Sequence, residues 1–220
     1  MTLSPALAAV LFMPAAAGLL YQAGQPHPWP HRLLALALLL MSFEQAHMAR
    51  VDLRHLELVA QRSSALPQNL LKDLSKDLQT DRRLHHFGRV VTLAILGQLL
   101  GFSVAAAGYL GWGMALILVS LVGFNLAATI RLEPGTAQPI QAAGWRSRLD
   151  VLVLDAIALI LALLWIAQKI QAWVAGGLFA ITLLYGASKL WAYLTAAARQ
   201  RSLVHVAHAA QEHPQPPQQN

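Results

Sequence analysis

Four polar residues interrupt otherwise apolar stretches of this chain: Glu44, Gln98, Asn125 and Asp155. An ionisable side chain inside a membrane-crossing helix is costly, so it marks an ion or proton path or is tied to a partner. Two carboxylates with two neutral amides have the chemistry to hold a cation or exchange protons. His47 follows Glu44 by three positions, and Thr182, Tyr185 and Lys189 are spaced i, i+3 and i+7. That second spacing draws a polar stripe along one side of a helix. The rival chemistry is structural. Asp155 would pair with Lys189, Glu44 with His47 or Arg50, and the two amides would bond across helices. Near the interface lysine snorkels, which makes such pairing cheap. Structural pairing is the expectation adopted, with a cation or proton path as the alternative.

Other chemistries are excluded by motif. The chain has no cysteine, which removes disulfides, thiol catalysis and thiolate-ligated metals. It contains no G-x-S-x-G, no H-E-x-x-H and no G-x-x-x-x-G-K-[ST]. No histidine falls between His86 and His205, so facing histidines for a membrane haem are missing from the later helices. His205, His208 and Glu212 have a ligand-like spacing. The motif is loose and lies on a tail, so no metal is expected, nor any other cofactor. An enzyme is therefore not expected.

The elements that must position the polar residues follow from hydropathy. Of the 220 residues, 56% are hydrophobic and 12% charged. Soluble domains carry about 25% charged residues, so this balance indicates the membrane class. The mean hydropathy, +0.48, agrees. The net charge of +6 would suggest nucleic acid in a soluble protein. Here basic and aromatic residues are not interleaved, and nucleic-acid binding is not expected. The bilayer itself is the expected partner.

About 20 apolar residues cross a membrane. Six segments come near that length: 3–21, 32–49, 89–109, 112–131, 149–168 and 172–194. The second is short and polar at its end. The first lacks a basic leader and reads as a span rather than a signal peptide. Connections after the second and fourth segments, with the tail, hold 14 of the 16 Lys and Arg; only Arg32 and Lys169 lie on the other side. The positive-inside rule then places both termini in the cytoplasm, with three hairpin tips outside, in a multi-pass protein of the plasma membrane. Trp29, Trp112 and Trp173 each fall at an outer tip, where aromatic rings favour the headgroup level.

The expected fold is an all-α integral membrane protein. Its first hairpin is 1–49, a cytoplasmic helical connector 50–88, its second hairpin 89–131, a cytoplasmic loop 132–148, its third hairpin 149–194, and its cytoplasmic tail 195–220. The tail is expected to be disordered from about 213, where "HPQPPQQN" begins. Within the connector, "ARVDLRHLELVAQR" should continue the second helix, with Leu53, Leu56 and Ala60 on one side. Residues 67–84 should then form an amphipathic helix, with Leu70, Leu71, Leu74 and Leu78 as its apolar stripe. That helix could engage a partner protein or a second copy.

On this frame the polar residues share a depth. At about 1.5 Å per residue, Glu44 and Asn125 lie roughly 20 Å from the outer tryptophans, and Asp155 roughly 9 Å from the inner end of its helix. Gln98 falls within about a turn of that layer. Asp155 shares a side with Ala158 and Ala162, Gln98 with Gly101 and Ala105, and Glu44 with His47. The sequence thus points to a non-enzymatic scaffold or assembly factor acting through helix packing. A small proton- or cation-coupled transporter or channel is the second reading.

Overall fold

Apolar runs, helix-breaking prolines and glycines divide the chain into seven helices among the described residues. The computed structural model describes residues 4–64, 74–132, 140–188 and Trp191. The chain is nearly all helical, and four helices are long and apolar enough to cross a membrane: Arg82–Ala106, Leu110–Ala127, Trp145–Ile166 and Gln171–Ser188.

The first apolar segment is not one helix. It divides at Phe12 into α1 (Pro5–Leu11) and α2 (Met13–Gly24). Pro14, in the first turn of α2, lacks the N–H that would continue the ladder. The expected uninterrupted span over 3–21 is corrected accordingly, and α2 ends three residues later. At its end, Arg32 Nε donates to the carbonyl of Ala23 at 3.0 Å. A cation at a helix C-terminus is favoured by both the free carbonyl and the dipole.

The second segment belongs to a much longer helix, α3 (Trp29–Ser64), of 36 residues. At 1.5 Å per residue it is about 54 Å long, well beyond a hydrocarbon core of about 30 Å. Glu44, Gln45, His47 and Arg50 make its middle too polar to read as a span. Its buried stripe runs through Leu34, Leu38, Ser42, Gln45, Ala49, Leu53 and Leu56, continuing as expected into the connector.

The next helix, α4 (Leu74–Ala106), corrects a second expectation. Residues 74–84 are not a separate surface helix but its first turns, continuous with the apolar part. No proline or glycine separates them before Gly88, and a lone glycine does not break a ladder held on both sides. Residues 67–73 lie outside the described residues.

Helix α4 packs against α5 (Leu110–Ala127) through small residues. A Cβ on Gly113 would sit 2.5 Å from the Gly101 carbonyl oxygen, and a Cβ on Gly101 would sit 2.8 Å from that of Gly113. Only glycine permits this approach, and such seams drive helix association where lipid removes the hydrophobic incentive. Ser120 Oγ crosses the same seam to the Ala94 carbonyl at 2.9 Å.

After α5 the chain forms a short antiparallel ribbon, β1 (Ile130–Leu132) with β2 (Ile140–Ala142), pairing Arg131 with Gln141. Helix α5 therefore stops at Ala127 rather than 131. Ile130 and Leu132 face inward and Arg131 outward, the period-two pattern of a half-buried strand. A 3-10 turn (Trp145–Arg148) leads into α6 (Leu149–Ile166). Helix α7 (Gln171–Ser188) follows.

Two compact units result, residues 1–181 and 182–220. The core of the first is one cluster, with Phe12, Leu19, Leu38, Phe102, Ile117 and Leu178 among its members. Of the second, only the last part of α7 and Trp191 are described.

Candidate functional site

Polar residues on α5 and α6 meet because the two helices pack against each other, with the ribbon and the 3-10 turn between them in sequence. Asn125 lies near the end of α5, and Asp155 in the second turn of α6. Asn125 Nδ2 donates to Asp155 Oδ2 at 3.2 Å. Asn125 is buried and Asp155 half-buried, and Ala158 and Ala162 below Asp155 are buried. The expected partner of Asp155, Lys189, lies outside the described residues. So do His205, His208, Glu212 and the tail from 192 onward.

The other expected members divide. Gln98 is buried on α4, on the side of Gly101 and Ala105, which are buried too. Glu44 is half-buried, and its Oε1 is shut off from solvent. His47 is exposed, which corrects its assignment to an interior face. The buried stripe of α3 passes through Ser42 and Gln45, and a residue two positions past Gln45 lies about 200° around the helix. Thr182 is buried and Tyr185 half-buried in the second compact unit, where Ser188 Oγ donates to the Tyr185 carbonyl.

Two buried polar residues were not singled out from the sequence, Ser42 and Gln45. Ser42 Oγ satisfies itself on the Leu39 carbonyl at 2.7 Å, as hydroxyls on apolar helices commonly do. The signal for both was their spacing of four and seven from Leu38.

At the end of α5 beyond Asn125, Arg148 locks the structure. Its Nη2 donates to the Ile130 carbonyl at 3.2 Å, and its guanidinium lies 5.4 Å from the Phe124 ring centroid. Asp52 on α3 and Arg131 on β1 are within electrostatic reach. Phe124 in turn meets Phe87 of α4 at 6.2 Å. One arginine thus ties the ribbon to α5, in the field of α3.

At the other end of the bundle, the turns after α2, α4 and α6 line one cavity of about 280 Å³. Pro28 and, in the first turn of α3, His31 come from the first; Tyr109 and, in the first turn of α5, Trp112 from the second; Gln168, with Trp165 at the end of α6 and Gln171 at the start of α7, from the third. Gln22 Nε2 donates to the Ala106 carbonyl at 3.3 Å, joining the first turn to the second. His31 stacks near His27, with ring centroids 4.4 Å apart, and lies 6.5 Å from Trp165. Burial lowers the His31 pKa from its ordinary 6.5, and His27 lowers it further.

Among the described residues there is no group of three or more His, Asp or Glu placed to hold a metal. No family model matches the chain, and no curated protein or solved structure matches it either. The fold is nearly all helical, with four helices long and apolar enough to cross a membrane among the described residues.

Proposed function

We propose that the chain is a six-span protein of the plasma membrane with both termini cytoplasmic, acting without catalysis as a scaffold or assembly factor through helix packing. The observation that carries this reading is the Asn125–Asp155 hydrogen bond. An acid at depth that already holds an amide on the neighbouring helix acts as glue between spans. The glycine seam between α4 and α5 supports the same reading, since it commits those helices to a fixed approach. So does the outer flank of α6, where Val153, Ile157 and Ile160 present an exposed apolar face.

Glu44 and Gln98 belong to the same polar layer in this proposal; Thr182, Tyr185 and Lys189 form a polar stripe of their own. A partner protein or a second copy would engage residues 67–84. Since 74–84 continue into α4, binding there would act directly on a membrane-crossing helix. The topology rests on the Lys and Arg asymmetry.

Reconstitution into proteoliposomes with a trapped pH indicator tests the proposal. A scaffold shows no proton flux above empty vesicles, and photo-crosslinking from position 74 or 78 in native membranes yields a discrete adduct. Flux that is present in the parent and lost in Asp155→Asn transfers the assignment to a proton- or cation-coupled transporter.

A further inference from the structure

Three separate turns build the cavity at the α2–α3, α4–α5 and α6–α7 connections, and its lining has a consistent chemistry. No Asp, Glu, Lys or Arg is among the described residues that line it. A charged ligand would have no counter-charge there, so the occupant is neutral. The walls are aromatic, from Trp165, Trp112 and Tyr109, and suit a flat ring that stacks. Gly111 makes this wall possible, because a Cβ there would stand 2.6 Å from Trp165 Cδ1.

Two features mark the cavity and the turn beside it. Gln168, with φ 56°, is the left-handed cap that ends α6, its N–H and that of Lys169 bonding the Trp165 and Leu164 carbonyls, and Ile170 two residues on has φ 40°. A β-branched residue in that region is a true outlier. Such conformations persist where the surroundings over-determine them, and they cluster at ligand sites. His31 lines the cavity, and its Nε2 is buried without a hydrogen-bond partner in the protein. A buried polar atom left unbonded calls for a cause, and a ligand is one.

The polar edge narrows the ligand further. An imidazole and two carboxamides supply N–H donors, which match carbonyl acceptors. Carboxylate side chains, which would grip the paired hydroxyls of a sugar, are missing from the lining. A volume of about 280 Å³ sits at the low end of ligand pockets, room for one substituted ring. Trp112 and Trp173 are exposed in the first turns of α5 and α7, beside the cavity's connections, and at a headgroup level a ring on a lipid tail would arrive there.

We propose that this cavity binds a neutral planar ring with carbonyl acceptors, the chemistry of a quinone headgroup, stacked on Trp165 and hydrogen-bonded by His31, Gln168 and Gln171. The assignment is independent of the scaffold reading, since it concerns another part of the molecule.

Calorimetric titration of the full chain in nanodiscs tests it, using a decyl-substituted benzoquinone, the same ring without its tail, and methyl glucoside. The parent should bind the decyl quinone saturably, one per chain, and methyl glucoside should not compete. Stronger binding with the tail assigns the ligand to the membrane pool, and equal binding to the aqueous one; both sustain the site. Trp165→Leu and His31→Leu should weaken binding at least tenfold. Gln168→Gly releases the left-handed strain, so it should melt no lower than the parent yet bind several-fold more weakly. Absence of saturable quinone binding, displacement by methyl glucoside, or parent-like affinity in a folded Gln168→Gly with Trp165→Leu also unaffected overturns the proposal.

Discussion

Asn125 on α5 and Asp155 on α6 are joined at 3.2 Å through Nδ2 and Oδ2, thirty residues apart in sequence. Interhelical hydrogen bonds of this kind average about 0.6 kcal/mol in membranes and reach about 1.7. A double-mutant cycle of Asn125→Leu and Asp155→Leu should give a coupling of about 1 kcal/mol, the upper half of that range, because one partner is a carboxylate. Asp155→Asn retains an acceptor for Asn125 and should melt close to the parent. A coupling indistinguishable from zero would remove the bond from the account of stability.

The close approach of α4 and α5 sets a steric test. At Gly113 an added Cβ would meet the Gly101 carbonyl and Ala105 at 2.5 Å, whereas at Gly123 it meets nothing within 4 Å. Gly113→Ala should therefore destabilise by about 1–3 kcal/mol, the usual cost of overpacking. Gly123→Ala should be neutral or stabilise by up to about 1 kcal/mol, through helix propensity. Chemical denaturation in mixed micelles would measure both. Equal effects at the two positions would show that the seam is not tight.

Membrane topology is read by reporter fusions. Fusions after Trp29, near Gly111 and near Gln171 should report outside; fusions after Ser64, near Gly135 and at the C-terminus should report inside. The motivation is the distribution of Lys and Arg, 14 against 2. A C-terminus outside would remove one of the six proposed spans. The weakest are the first, broken at Phe12, and the second, polar from Glu44.

Stability should fall with acid through two histidines. His31 is lowered by burial and then by His27, and His55 by burial and then by Arg54. A histidine with a depressed folded-state pKa binds its proton more weakly when folded. Its contribution is therefore intact above the ordinary value of 6.5 and is lost as pH falls below it. Melting temperature should drop between pH 7.5 and 5, and the drop should shrink in His31→Gln and in His55→Gln. Superimposable pH profiles for parent and both variants would show that these imidazoles play no part.

Much of the frame was legible from residues alone, because hydropathy and charge are local properties. A run such as "LDVLVLDAIALILALLWI" has too few polar groups to form anything but a buried or membrane helix, and α6 begins where that run begins. The extension of α3 into the connector was legible too, since Leu53 and Leu56 repeat the period of the apolar stripe above them. Asn125 and Asp155 were placed at one depth by counting residues.

What counting could not supply is rotation and contact. Depth puts Asp155 in reach of several neighbours; only the packing of α5 on α6 selects Asn125. His47 was three positions from Glu44 and still lies exposed, because the exact bearing of the α3 stripe, through Ser42 and Gln45, is set by what packs on it. Strands of three residues are too short for a pattern to stand out, and the ribbon forms because Ile130 and Leu132 find a core supplied by other elements. The cavity among the three turns is wholly tertiary. Hydropathy and charge act along the chain and specify which segments are helices and where they stop; a cavity or a hydrogen bond between helices depends on their relative rotation, which only the packed side chains of distant segments decide.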